Sequence, residues 1–348
     1  MPPATGSSTK KRPKKKALVA RPFDPSKRVV AVTGANGYVG SDLILRLERQ
    51  TGCSKILAID VRKPSIPVHK TQFHKIDLTM PTADADLAAI FRRESVDTVV
   101  HAAFLSAPTH AAAWAHELES IGTMHVLNAA AEAQARKLIL WSQTVVYGAH
   151  PLNPNFLTED HELRGNPRSR FVQDKVEAEK QVRRFARENP DTIVTTLRTA
   201  PTLGPTIRNF ATRFFSRPMA PVLMGFDPLM QFVHEIDALD AFEKAVVEDH
   251  RGEFNIVGDG VLPYTTILAM MGKIPLPLPH FLAYPLSQAL WATQIFDSPP
   301  NFLDFLRFLC VADGEKAKRE MHFFPRYDIK QIIADFLGVE PQPAFEGA

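Results

Sequence analysis

The stretch Val29-Val30-Ala31-Val32-Thr33-Gly34-Ala35-Asn36-Gly37-Tyr38-Val39-Gly40 constrains this chain more than any other. A β-branched apolar run turns through three spaced glycines into Ser41-Asp42-Leu43-Ile44-Leu45, the pattern of a buried strand, a tight turn and an amphipathic helix. Gly34 lets the backbone leave the strand sharply, Gly37 leaves no side chain where the backbone would meet a pyrophosphate, and Gly40 lets helix and strand pack closely. The free N–H groups at the helix start favour an anion. About twenty residues further on, Lys55-Ile56-Leu57-Ala58-Ile59-Asp60 reads as a second strand ending in a carboxylate, where a ribose diol would be held. The turn residues Gly34, Asn36, Gly37, Tyr38, Val39 and Gly40, with Asp60, are therefore expected to bind a dinucleotide.

The chain of 348 residues, 45% hydrophobic, is long enough for a large core, which excludes the disordered class. Its two cysteines, Cys53 and Cys310, form no metal or disulfide pattern, so a reducing, cytoplasmic setting is expected. Residues 1–28 hold nine Lys and Arg against the single acid Asp24. Without them 32 basic and 37 acidic residues remain, so the net charge of +3 covers a folded body near −5. This segment is no secretory signal. It reads as a solvated extension, with a tether to anionic lipid as the alternative and peripheral membrane contact as its consequence. Nucleic acid is not an expected partner, because no recognition fold follows and the body is acidic.

Strands are expected at 29–33, 55–60, 72–76, 96–101, 137–142 and 192–197, and helices near 38–50, 83–94, 111–134 and 170–188. Such alternation means parallel pairing and an α/β, doubly wound sheet of the Rossmann type. After residue 200 the texture changes to loops, until a helix near 235–248 and a strand at 253–257. The expected organisation is a basic tail (1–27), a dinucleotide-binding domain (28–200 plus 233–260) and a smaller, mostly helical substrate lobe (201–232 plus 261–340).

From Ile274 to Phe296 no residue carries a charge. Pro275, Pro277, Pro279 and Pro285 argue against a transmembrane helix. A helix buried over the substrate cleft is the leading reading, with a dimer contact or an interfacial membrane patch as alternatives.

Several short segments in the right order resemble the extended short-chain dehydrogenase/reductase family, which includes NAD-dependent sugar-nucleotide epimerases, dehydratases and 3β-hydroxysteroid dehydrogenases. They are the glycine turn, Asp60, Ile76-Asp77-Leu78, Val99-Val100-His101-Ala102-Ala103, Ile121-Gly122-Thr123, Val145-Val146-Tyr147-Gly148, Phe232-Val233-His234-Glu235-Ile236-Asp237-Ala238 and Phe254-Asn255-Ile256-Val257-Gly258. The resemblance implies that Asp77 and Leu78 hold the adenine, that Ala102 and Ala103 line the cofactor, and that Lys175 binds the nicotinamide ribose. It also implies a homodimer.

The departures concern catalysis. The family's Tyr, four residues before the Lys, is Phe171 here; its Ser/Thr falls at Gln143, with Ser142 and Thr144 alongside; its Asn is Glu119. Lys175, Gln143, Ser142, Thr144 and Tyr147 are the candidate catalytic residues, and His101, Glu119 and His110 are further acid/base candidates. Asp60 favours NAD, while Arg62 leaves NADP open. Two functions follow: an NAD-dependent oxidoreductase or epimerase with rearranged residues, acting on an apolar alcohol or a sugar nucleotide, or a catalytically silent dinucleotide-binding sensor or scaffold.

Overall fold

The computed structural model describes residues 24–294 and 298–339; the basic tail through residue 23 and Phe296 lie outside them. The expected strands form as β1 (Arg28–Thr33), β2 (Cys53–Asp60), β3 (Thr71–Lys75), β4 (Thr98–His101), β5 (Lys137–Gln143) and β6 (Ile193–Thr199), joined by Gly252–Ile256. They build one seven-stranded sheet in the order Gly252–Ile256, β6, β5, β4, β1, β2, β3, with every pairing parallel. Strand order reverses between β1 and β4, which leaves a crevice at their C-terminal ends.

Period-two alternation distributes the strand side chains between two cores. Val30, Val32, Ile56, Ala58, Val100 and Ile139 face one core; Ala31, Leu57, Ile59, Val99, Leu138 and Leu140 face the other. The helices α1 (Tyr38–Arg49) and Glu235–Val247 cover the first face. The second is covered by α2 (Ala83–Glu94) and by the later of two consecutive helices, α3 (Ala112–His116) and α4 (Gly122–Ala133), with help from α5 (Arg170–Glu188).

The Ala-rich segment expected as one helix is divided. A single π turn, Glu117–Ile121, joins α3 to α4 and carries the buried Glu119 and Ser120. A wider turn of this kind holds one extra residue and re-aims the side chains on it.

Residues beyond 200 are more regular than their sequence suggests. Helix Phe210–Phe215 is capped by Asn209, whose side chain accepts from the Thr212 N–H at 2.9 Å. Strands Met219–Leu223 and Ile274–Leu278 pair in parallel as a separate ribbon. A third apolar cluster surrounds Phe232, Tyr264, Ile332 and Ile333. The prolines at 275 and 277 hide the second of these strands from any propensity argument.

The uncharged stretch also differs from its leading reading. Its helix, His280–Ala292, lies across a cavity, yet Ala283 alone on it is buried. Among the described residues, no helix is long and apolar enough to cross a membrane.

Candidate functional site

The glycine turn is shaped by contacts that a side chain would prevent. Gly34 has φ +70°, and a Cβ there would lie 2.6 Å from the Ala102 carbonyl oxygen. At Gly40 a Cβ would collide with the Gly34 carbonyl and come within 2.9 Å of the Ala35 Cα. Ala102 and Ala103, buried at the end of β4, therefore press against the turn. Val39 is buried and Tyr38 half-buried, its phenol pushed up by burial and by the Glu235 carboxylate.

Asp60 sits beside this loop. Its Oδ2 accepts the Asn36 N–H at 3.0 Å and its Oδ1 the Arg62 N–H at 3.2 Å, which fixes the carboxylate at the rim and leaves further acceptor capacity. Asp77 closes its own turn by accepting from the Thr79 N–H and hydroxyl at 3.0 and 2.7 Å. Leu78 packs toward Gly122, where a Cβ would approach the Leu78 Cβ to 3.1 Å.

At the other end of the crevice, Phe171 and Lys175 share one face of α5 by their i, i+4 spacing. Lys175 Nζ lies 4.0 Å from the Phe171 ring centroid and 5.4 Å from that of Phe104. It also donates to Glu119 Oε1 at 2.8 Å and to the Leu105 carbonyl at 3.3 Å. Glu119 Oε1 accepts the Leu105 N–H at 2.6 Å as well, while Oε2 is buried without a hydrogen-bond partner. Lys175 and Glu119 are 3% and 1% exposed, so this is a dry ion pair. Burial pushes Glu119 upward against the pull of Lys175. The residues standing where the resemblance places Asn and Lys are thus bonded to each other.

The other acid/base candidates are engaged elsewhere. His101 is 1% exposed, with Nδ1 2.7 Å from Thr33 Oγ1 and Nε2 2.9 Å from Thr123 Oγ1. Thr123 donates its proton to the Glu119 carbonyl, so Nε2 donates to Thr123 and Nδ1 accepts from Thr33. Burial pushes His101 down to about 3, and the ring is neutral. Below its ordinary value of 6.5 the unfolded chain takes up the proton more readily, so the stability from this neutral ring is complete above that value and is lost as pH falls toward 3. Denaturant midpoints from about pH 7 to about pH 4 should show wild type losing stability relative to His101→Asn. Parallel pH profiles would disprove a buried neutral ring.

Tyr147 donates to Asn255 Oδ1 at 2.8 Å and accepts from Arg198 Nη1 at 2.8 Å; burial pushes its phenol up to about 12. Arg198 is fully buried and pairs with Glu179 through Nη2 at 2.7 Å, and Ser142 Oγ donates to the same carboxylate at 2.5 Å. Ser142 and Tyr147 therefore belong to a closed polar network beneath the sheet ends. His110 stacks on Trp291 with ring centroids 3.6 Å apart.

Gln143, Thr144 and Phe171 line a cavity of about 400 Å³. Its other walls include the Phe210–Phe215 helix, the strands Met219–Leu223 and Ile274–Leu278, residues 229–232, the helix His280–Ala292 and the turn Pro300–Leu306. Among the described residues no Asp, Glu, Lys, Arg or His lines it. Cys310 does, with a thiol pushed up to about 12 by burial. The uncharged stretch 274–296, expected over the cleft, does supply part of this wall, whereas sequence reasoning missed the parts from 210–215 and 219–232.

The model of the NAD-dependent epimerase/dehydratase family matches residues 30–257. The chain belongs to that family. A similar protein of Mycobacterium tuberculosis, described as uncharacterized, is 31% identical over 316 residues, which cover 89% of this chain and 83% of the relative. Among solved structures, MoeE5 in complex with UDP-glucuronic acid and NAD has a TM-score of 0.69 at 20% identity, covering 89% of this chain and 97% of its own. The UDP-glucose 4-epimerase of Thermotoga maritima with UDP-glucose has a TM-score of 0.69 at 17% identity and the same two coverages. At those identities the structural likeness establishes the fold. This epimerase/dehydratase family member keeps the glycine turn and the Asp at the end of β2, and surrounds the far end of the crevice with apolar side chains.

Proposed function

We propose that this protein binds NAD along the glycine turn and an uncharged, apolar small molecule in the adjoining cavity, without Tyr-dependent proton transfer. The observation that carries this reading is the wall of the cavity. Phe171 stands where the resemblance places the proton donor, and no side chain able to exchange a proton near neutrality joins it there.

The cofactor cradle fits. Gly34, Gly37 and Gly40 keep the space that a Cβ would fill, and Asp60 offers its remaining lone pairs to a ribose diol. Asn36, Tyr38 and Val39 would complete the pyrophosphate turn, Asp77 and Leu78 the adenine end, and Ala102, Ala103 and Lys175 the nicotinamide side. Bound NAD supplies a site that can accept or donate a hydride. Around it, Lys175 gives its proton-bearing nitrogen to Glu119, and Phe171 offers the ligand only a hydrocarbon face. In this reading residues 201–232 and 261–340 form the substrate lobe, and the setting is cytoplasmic, in keeping with two free cysteines.

A sugar nucleotide is the less favoured ligand, because its diphosphate requires cations and Arg208 and Arg213 line a separate depression. A second reading, a slow oxidoreductase acting on an apolar alcohol, is supported by Gln143 and Thr144, whose amide and hydroxyl stand at the cavity wall.

Calorimetric titration of the full chain with NADH and NADPH separately tests the cofactor assignment. NADH is expected to bind at least about tenfold tighter, a difference of ~1.4 kcal/mol, and Asp60→Ala should erase that margin. Tighter binding of NADPH would contradict it. Turnover of NADH by wild type across a panel of apolar ketones would overturn the silent reading in favour of the second.

A further inference from the structure

We propose that the face built by the helix His280–Ala292 and the ribbon Met219–Leu223/Ile274–Leu278 docks on an anionic membrane surface and opens the apolar cavity toward it. The inference rests on the reading of that cavity as a site for an apolar ligand, which would pass directly between bilayer and protein.

The helix has two apolar sides. Ala283, Leu286, Ser287 and Leu290, spaced i, i+3, i+4 and i+7, line the cavity. Phe281 and Leu282, outside the cavity wall, are 67% and 52% exposed. Pro285, Ala289 and Ala292 are exposed with them, and Gln288 is the one amide on that side. With Ala283 its only buried residue, the helix is not in a core. The ribbon beside it continues the face: Ile274, Met224 and Met219 are exposed, and the exposed Leu276 also lines the cavity. Met219, Leu276 and Leu286 are exposed and line the cavity at once, which ties the apolar face to ligand passage.

Charge selects the occupant. Arg208, Arg213, Arg217 and Lys273 line a depression of about 640 Å³, with Arg213 and Arg217 holding partners of their own. Lys273 directly precedes Ile274, Arg217 lies two residues before Met219, and Ile274 pairs with Met219, so both cations stand at one end of the exposed ribbon. The sequence of residues 1–28 adds nine cations to the same molecule. Cations bordering an apolar face fit anionic headgroups above acyl chains. A second copy fits poorly, because a two-fold contact brings each patch against itself and its cations against like charge. Strand addition is also blocked. The Ile274 N–H donates to the Pro218 carbonyl, so alternation turns positions 275 and 277 to the outer edge, where proline has no donor.

Flotation of the full chain with phosphatidylcholine vesicles, alone or mixed with phosphatidylglycerol, tests the proposal, with NADH affinity and the unfolding midpoint measured on the same samples. Binding is expected to the mixed vesicles and to weaken as salt rises. The double substitution Phe281→Asp/Leu282→Asp should lower vesicle binding at least tenfold with NADH affinity and midpoint unchanged, and Lys273→Gln should lower it about fivefold. The proposal is overturned if the double variant floats as wild type does, since the basic tail alone would then carry binding. It is also overturned if wild type binds neither vesicle, or if the double variant instead converts a dimer to a monomer in sedimentation. A chain that floats as expected yet binds no NADH supports docking and removes only the cofactor reading.

Discussion

Phe171→Tyr is expected to raise NADH-linked turnover of apolar ketones by two to four orders of magnitude, about 3–5 kcal/mol of barrier, the usual worth of a positioned acid/base. The position is prepared for it. The Phe171 ring lines the cavity, and the Lys175 ammonium lies 4.0 Å from its centroid, close enough to lower the pKa of a phenol built on the same ring. One feature opposes the gain: Lys175 is tied to Glu119. Phe171→Tyr/Glu119→Asn should therefore exceed the single substitution, because it frees the ammonium. Steady-state rates for wild type and both variants, followed by nicotinamide absorbance, check this. A wild type already as fast as Phe171→Tyr would show that another group moves the proton.

Breaking the buried pair from its acidic side should be the costliest change to stability. Glu119→Met leaves the Lys175 ammonium, 3% exposed, with the Leu105 carbonyl as its remaining hydrogen-bond acceptor, and is expected to cost about 3–5 kcal/mol. Lys175→Met should cost less. Burial already pushes Glu119 upward, and without its partner it can take up a proton rather than remain a lone buried charge. Glu119→Met/Lys175→Met, with both charges removed, should recover to near wild type. Urea denaturation of the three variants gives the coupling energy. Strictly additive losses would disprove a coupled pair.

The sheet and its glycine turn were legible because their signals are local. Apolar runs of strand length predicted all seven strands of the sheet to within a few residues, and alternate side chains within them divide between the two cores. The Gly34–Gly40 spacing placed the turn, and Asp60 was readable as the residue that ends β2. The break between α3 and α4 was not legible, since nothing in the composition of 111–134 marks a π turn at Glu117–Ile121. The helix His280–Ala292 is less buried than its lack of charge suggests, because that lack does not distinguish a core helix from one packed on a single side.

Sequence alone predicted a strand, a glycine turn and a helix, with an Asp ending the next strand, because residue type at short spacing leaves the backbone little choice there. That Phe171 stands at the family's Tyr position is implied by the resemblance and not by spacing. Only the tertiary structure decided what the remaining polar groups do. Glu119 and Lys175 are 56 residues apart, as Glu179 and Arg198 are 19 apart, and each pair meets through packing that no local pattern encodes. That packing turns Ser142 and Tyr147 into the core and assembles an uncharged, mostly apolar cavity wall from segments far apart in the chain. The physical reason is desolvation: a buried polar group must find its partner wherever the fold brings one.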